Sequence, residues 1–189
     1  MPVYIVIPER SYYLTVKENI EEWDGCVKKE EDVSRAELLA LLSRSNAHMS
    51  FEEAVEDFPE SAMNTTFPNV TYTPWHLLEH MRRSQWDILD FMRNPNYKGM
   101  VWPDDYWPQK SQKATRKEWD KTIEGFNRDM KELQLLVSDP KVEMHSRIPH
   151  GDGQTMLREI LLVADHNAYH TGEFTIMRQV MGTWGKDHK

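Results

Sequence analysis

Cysteine is almost absent from this chain of 189 residues, which contains only Cys26. A single cysteine excludes an internal disulfide and a metal cluster built on thiolates, so histidine, aspartate and glutamate are the realistic metal ligands. Cys26 lies among charged residues, a setting that favours an exposed thiol without a catalytic role over a nucleophile.

Positive charge is also scarce. The chain has 31 acidic residues against 23 lysines and arginines, a formal net charge of −8. Affinity for nucleic acids depends largely on clustered lysine and arginine side chains that displace counterions from phosphates. No basic stripe is visible in the sequence, so we predict no nucleic-acid partner.

Long apolar runs are missing as well. The longest ones, such as residues 160–164, are far shorter than the roughly 20 residues that cross a bilayer. The first eight residues lack the basic start and the full apolar stretch of a signal peptide. We therefore expect no membrane partner and a cytoplasmic location.

The chain is rich in helix signals. Capping boxes or N-cap threonines precede apolar segments with helical periodicity. They predict helices that begin after Ser34, Ser50, Thr73, Thr115 and Thr155. The predicted helices end near residues 42, 58, 93, 138 and 181.

Four long helices with apolar seams predict an all-α four-helix bundle with long irregular connections. The connection over residues 94–114 is rich in aromatic residues and proline, so we expect a packed surface loop. We predict an N-terminal extension over residues 1–33, the bundle over 34–184 and a tail over 185–189. Within the extension, residues 3–7 are compatible with a short strand and residues 12–23 are only weakly periodic.

The last predicted helix has an apolar seam that polar residues interrupt for one turn. Steps of four and three give this seam: Met156, Ile160, Val163, Asn167, His170, Phe174, Met177 and Met181. His166 and His170 are four residues apart, so their Cβ atoms lie roughly 5–6 Å apart and both rings can reach one ion at about 2.0–2.1 Å. Because such pairs more often contact neighbours or solvent, a metal site needs a third ligand.

The helix after Thr73 offers two candidates for this ligand, His76 and His80. At about 100° per residue, His80 lies about 40° closer to the apolar seam of its helix. We therefore prefer His80, although a modest rotation of the helix would favour His76.

Three segments of the chain together resemble a known family. They are Pro74-Trp75-His76-Leu77-Leu78-Glu79-His80, Gln85-Trp86-Asp87-Ile88-Leu89 and Asp165-His166-Asn167-Ala168-Tyr169-His170-Thr171-Gly172-Glu173. In combination they look like the DinB/YfiT-like metalloprotein superfamily over roughly residues 34–184. The resemblance implies a four-helix bundle that holds one divalent metal ion with His80, His166 and His170. The family name does not imply a DNA polymerase.

Three protein ligands leave at least one coordination position open, as in catalytic metal sites. The resemblance implies a metal-dependent enzyme of the thiol-dependent transferase or hydrolase type that acts on an unknown small molecule. Imidazole ligands suit zinc, nickel and iron comparably, and we expect zinc or nickel ahead of iron. Asn167 stands where a zincin peptidase has its glutamate, so peptidase chemistry is not supported. No catalytic residue is identified. The alternatives are a non-catalytic bundle with a structural ion and a protein with no metal at all.

Three further residues are candidates to orient the imidazoles, namely Asn167, Glu173 and Glu159. The glutamates have a competing interpretation, because Arg158 and Arg178 are available as ion-pair partners. His150, in a predicted turn before the last helix, is a weaker candidate, and His48 and His145 have no partner at ligand spacing.

The last helix also carries a second apolar face, formed by Leu157, Leu161, Ala164 and Ala168. This face predicts a homodimer, or alternatively packing against the N-terminal segment.

Overall fold

The computed structural model describes residues 20–43 and 47–185, with side chains from residue 31 onward. Its elements are α1 (Ile20–Ser43), α2 (Phe51–Val55), a 3₁₀ turn (Glu60–Ala62), α3 (Pro74–Arg93), α4 (Arg116–Ser138) and α5 (Met156–Met181). Across these ranges there is no strand, only an isolated bridge between Arg147 and Thr155. The predicted all-α fold with four long helices is confirmed. The candidate strand at residues 3–7 lies outside the described residues.

The chain divides into two compact units, residues 1–35 and 36–189. In the first unit, Glu31 and Arg35 form an ion pair of 2.7 Å across one turn of α1. The second unit contains α2 to α5 and the last turns of α1, and all the features described below lie within it. The predicted domain boundary at residue 34 stays a prediction.

Most of the predicted helix starts are confirmed by their caps. The side chains of Ser50, Thr73, Thr115 and Thr155 each accept a hydrogen bond from the backbone amide three residues later. Gly182 ends α5 in the left-handed conformation, with φ of 63°, which glycine adopts without steric cost.

The predicted start at Ser34 is wrong, because α1 already begins at Ile20 and continues past this residue. The lysines and glutamates of residues 28–31 favour helix, so a capping-box pattern inside the run does not stop it. The second helix is also shorter than expected, since α2 ends at Val55.

The core consists of two apolar clusters along the bundle, and α3 packs against both α4 and α5. The first cluster surrounds the N-terminal half of α3 and the C-terminal half of α5, where Phe58 stacks on Trp119 with ring centroids 4.6 Å apart. The second cluster surrounds Leu89 on α3 and Ile160 and Val163 on α5. The two helices are therefore antiparallel, and polar residues of both lie where the clusters meet.

The loop between α3 and α4 is fixed to the bundle at several points. The guanidinium group of Arg83 donates to the carbonyl oxygens of Asp105 and Trp107, at 3.0 and 3.3 Å. At the end of the loop, the amide of Asn64 exchanges two hydrogen bonds of 2.8 Å with the backbone of Ala114. These contacts place the aromatic side chains of the loop against α3. In the described ranges, every helix is too short or too polar to cross a membrane.

Candidate metal centre

Three imidazoles from two helices meet where the apolar clusters join. His80 comes from α3, and His166 and His170 come from successive turns of α5. One ring nitrogen of each lies within 4.8 Å of the other two, and the Nε2 atoms of His80 and His166 are 3.2 Å apart. The antiparallel packing of α3 on α5 thus brings together residues that are 86 positions apart in the chain.

Hydrogen bonds fix the orientation of two of these rings. Nδ1 of His80 donates to the carbonyl oxygen of Tyr106 at 3.2 Å, and Nδ1 of His170 donates to Oε2 of Glu173 at 2.7 Å. A ring that donates from Nδ1 in its neutral form carries its lone pair on Nε2. Both rings therefore offer Nε2 as an acceptor or as a metal ligand.

Aromatic packing further restrains His80. Its ring stacks on the indole of Trp107, with centroids 3.9 Å apart and planes 7° from parallel. The third ring, His166, is held differently, since its Nδ1 is buried without a hydrogen-bonding partner in the described part of the chain. The loop before α4 therefore supplies both a carbonyl and a stacking surface for one candidate ligand.

The electrostatic environment keeps His80 and His166 neutral. Burial, together with the neighbouring His166 and His170 rings, lowers the pKa of His80 to about 3. Burial and the His170 ring lower the pKa of His166 to about 4. Because only a neutral imidazole has a lone pair available for a metal, these shifts favour ligation over protonation.

The donor set fits a divalent ion. Bonds of about 2.0–2.1 Å in a tetrahedral site place neighbouring ligand atoms about 3.4 Å apart. The separation of 3.2 Å between His80 and His166 matches this value, and the largest separation of 4.8 Å closes with a small movement of the side chains. The three histidines could therefore hold one metal ion.

His76, the alternative on the same helix, has a different role. Its Nδ1 accepts from the backbone N–H of Thr73 at 3.2 Å, and its Nε2 donates to the carbonyl oxygen of Gln112 at 2.9 Å. His76 thus completes the capping box of α3, which is normally closed by glutamate or glutamine. Both of its ring nitrogens are used, and it lies outside the cluster.

The three candidates for orienting the rings have different partners. Glu173 accepts from His170 and, at 3.3 Å, from the hydroxyl of Tyr72. Asn167 donates at 2.8 Å to Gln85 on α3, so it bridges two helices. Glu159 is buried and bonds to Arg158 at 2.5 Å, which is the ion pair that the competing interpretation expected.

A cavity of about 630 Å³ opens beside the imidazoles. Trp102, Tyr106 and Trp107, from the loop between α3 and α4, line it. His150, in contrast, donates from Nε2 to the carbonyl oxygen of Phe91 at 2.7 Å and does not line the cavity. His48 and His145 are likewise absent from the cluster.

Sequence reasoning assigned no role to Asp87, although this residue is central to the cavity wall. Its two carboxylate oxygens accept hydrogen bonds from the hydroxyls of Tyr97, at 2.8 Å, and Tyr106, at 2.5 Å. The signal that could have identified it is its position seven residues after His80, which places both on one face of α3. The distant tyrosine partners are not visible in the sequence.

Comparison with known proteins gives one result. A family model described as the DinB superfamily matches residues 45–174, which is more than half of the chain and includes all three clustered histidines. No curated protein and no solved structure gives a significant match.

Proposed function

This chain belongs to the DinB superfamily, and from this premise we propose that His80, His166 and His170 bind one divalent metal ion through their Nε2 atoms. The observation that carries the proposal is the convergence of three imidazoles within 4.8 Å beside a cavity. His80 and His170 donate from Nδ1 and therefore both present an Nε2 lone pair, and one cation between the rings can accept both.

We propose zinc or nickel as the ion, with iron as the next candidate. Neutral imidazole is a good ligand for each of these ions. The carboxylate of Glu173 favours binding further, because a carboxylate that accepts from Nδ1 makes the opposite ring nitrogen a better donor.

The ion would serve an enzyme that acts on a small molecule, of the thiol-dependent transferase or hydrolase type. A bound divalent ion with an open position supplies a Lewis acid at the end of the cavity. The protein holds the rings in place through Glu173 and the carbonyl of Tyr106, and Trp107 covers one face of His80. The cavity gives a small molecule access to this end of the site.

A second function is a non-catalytic bundle in which the ion joins α3 to α5. The position of the ligands favours this function, because His80 lies on α3 whereas His166 and His170 lie on α5. An ion bound to all three would therefore connect the two helices. In this case, metal binding would stabilise the folded protein without any turnover. The homodimer and the cytoplasmic location stay predictions.

The test is elemental analysis of the full chain, purified without an affinity tag. We expect about one metal ion per chain, as three ligands at one centre require. His166→Ala should lose it, whereas His145→Ala, which changes an exposed histidine outside the cluster, should retain it. Metal content that is equal in both variants, or absent from the unmodified protein reconstituted with zinc and with nickel, would refute the proposal.

Turnover then separates the two functions. A survey of thiol conjugates and hydrolysable small molecules is run with the metal-loaded protein and with His166→Ala. Turnover that disappears with the metal supports the enzyme. A rise in melting temperature on metal loading, with no turnover of any class, supports the structural ion.

A further inference from the structure

The cavity beside the imidazoles has a second polar end. Along α3 it is lined by His80, Ser84, Asp87 and Phe91, and along α5 by Glu159, Leu162 and His166. Seven residues separate His80 from Asp87, and seven separate Glu159 from His166, which corresponds to a rise of about 10 Å in each helix. Because α3 and α5 are antiparallel, both carboxylates lie on the same side of the imidazoles.

Glu159 lacks a partner for half of its carboxylate. The side chain is only 2% exposed, and its Oε1 pairs with Arg158 at 2.5 Å. Its Oε2 makes no hydrogen bond to any of the described residues. Because Glu159 lines the cavity, this oxygen can accept from a ligand there, and a positively charged N–H group would make a charge-assisted hydrogen bond to it.

Gln154 offers a second acceptor oxygen in the same cavity wall. Its side-chain oxygen is buried and has no hydrogen-bonding partner over the described ranges. The wall therefore offers hydrogen-bond acceptors in excess of donors.

Aromatic rings form much of the remaining lining of the cavity. The lining includes Phe91, Tyr97, Trp102 and Tyr106. Tyr97 and Tyr106 are held by their hydroxyl bonds to Asp87, and Phe91, one turn after Asp87 on α3, packs against Tyr97 with ring centroids 5.1 Å apart. Trp102 belongs to the imidazole end, since its ring lies 6.2 Å from that of His80. The faces of aromatic rings attract organic cations.

The charge balance of the cavity also favours a cationic ligand. Besides the three imidazoles, the lining contains the charged residues Asp87, Asp152, Glu159 and Arg158. Three carboxylates against one guanidinium leave an excess of negative charge, and the guanidinium is already paired with Glu159. An anionic ligand would be repelled here, whereas a cation would be attracted.

We propose that this end of the cavity binds the alkylammonium group of a small molecule, with Glu159 and Asp87 as its charge partners and Phe91 as its aromatic contact. The same molecule extends about 10 Å along the helices to the imidazole end. Only this second contact rests on the proposed metal function, because the ammonium subsite consists of side chains that need no ion.

The test measures binding of three probes of equal length to the full chain by calorimetry, namely hexylammonium, 1-hexanol and hexanoate. We expect hexylammonium to bind at least about tenfold more tightly than hexanol, since a charge-assisted hydrogen bond and a cation–π contact are added. Hexanoate should bind most weakly. Equal affinity of hexylammonium and hexanol, or preference for hexanoate, would overturn the proposal.

Two variants locate the effect. Glu159→Gln keeps the shape of the side chain and should lower hexylammonium affinity about tenfold without changing hexanol affinity. Phe91→Leu replaces the ring with an aliphatic side chain and should lower hexylammonium affinity about threefold. The matched control is Glu132→Gln, which removes an exposed carboxylate paired with Arg93 on the surface. An unchanged affinity in both cavity variants would refute the subsite, even if Glu159→Gln is less stable.

Binding is measured in metal-free protein first and in zinc-loaded protein second. Hexylammonium binding to a protein that takes up no metal would refute only the proposed metal function. Metal uptake without discrimination between the probes would refute only the ammonium subsite.

Discussion

Two polar layers join α3 to α5, and their contrast shows what distinguishes a structural contact from a binding site. In the amide layer, Gln85 donates to the carbonyl oxygen of Phe126 at 2.7 Å and accepts from Asn167 at 2.8 Å. Both functions of this amide are used inside the core. In the imidazole layer, the outer nitrogens of His80 and His170 have acceptors, and the inner nitrogens face one another.

The difference lies in what remains unsatisfied. The amide of Gln85 needs nothing from outside, and the layer leaves one buried acceptor without a partner among the described residues, Oδ1 of Asn167. A single acceptor does not form a metal site, so the layer stabilises the fold. The imidazoles present several acceptors to one point beside a cavity, which only a cation or a proton can satisfy together. Burial disfavours the proton, because it lowers the pKa of His80 and His166.

The largest expected effect is a difference in metal affinity between variants of His80 and His76, the two histidines of α3. His80→Ala should lower metal affinity by more than about a hundredfold, since even the loss of a residue behind a ligand costs 10- to 100-fold. His76→Ala should retain the affinity and instead lower stability by about 1 kcal/mol, as expected for a lost cap. Competition with a chromogenic chelator and urea unfolding provide the two readings. A reversed pattern would assign the third ligand to His76.

The second prediction concerns the amide layer. Gln85→Leu should destabilise the protein by about 2 kcal/mol, because buried groups of Phe126 and Asn167 lose their partner. Metal content should not change. The control is Gln179→Leu on the exposed face of α5. Loss of the metal in the folded Gln85→Leu protein would show that the two layers are not independent.

A smaller loss of metal affinity is expected from Glu173, which accepts a hydrogen bond from the candidate ligand His170. Glu173→Gln should lower metal affinity about tenfold, because a neutral amide polarises the His170 ring less than a carboxylate does. Tyr72→Phe, which removes a hydroxyl contact of 3.3 Å to the same carboxylate, should have a weaker effect. Chelator competition measures both. Affinities equal to that of Glu132→Gln would mean that Glu173 does not tune the site.

The smallest expected effect is that of pH on the stability of the metal-free protein, which changes little near neutrality and more at lower pH. The metal-free protein should lose stability as the pH falls below about 6.5, since unfolded histidines then take up protons. Folded His80 and His166 resist protonation, with pKa values of about 3 and 4, so the loss continues down to that range. Urea unfolding between pH 8 and 4 tests this sign. His80→Ala should flatten the profile, and a slope equal to that of the unmodified protein would contradict the burial argument.

Much of the bundle could be predicted from local sequence. Ser50, Thr73, Thr115 and Thr155 mark helix starts because a cap is formed by residues three positions apart. Ser34 shows the limit of this reasoning, since the same pattern lies within α1. A capping box predicts a helix start only where the preceding residues do not themselves favour helix.

The candidate site could be predicted only in part. The spacing of His166 and His170 places both rings on one face of a helix whatever the surroundings. The choice between His76 and His80 depended on the rotation of α3, and the structure makes it through the contacts of His76 with Thr73 and Gln112. Asp87, with its two tyrosine partners from the loop, was not foreseen.

By itself, the sequence determined the helices, their apolar faces and the one-turn interval between two histidines, because these properties depend on neighbours within a few residues. Tertiary structure alone decided that α3 brings His80 to them, that Trp107 covers its ring and that a cavity with carboxylates continues from the imidazoles. These features depend on how antiparallel helices and a long loop pack. Such packing balances contacts between distant residues, which no local pattern records.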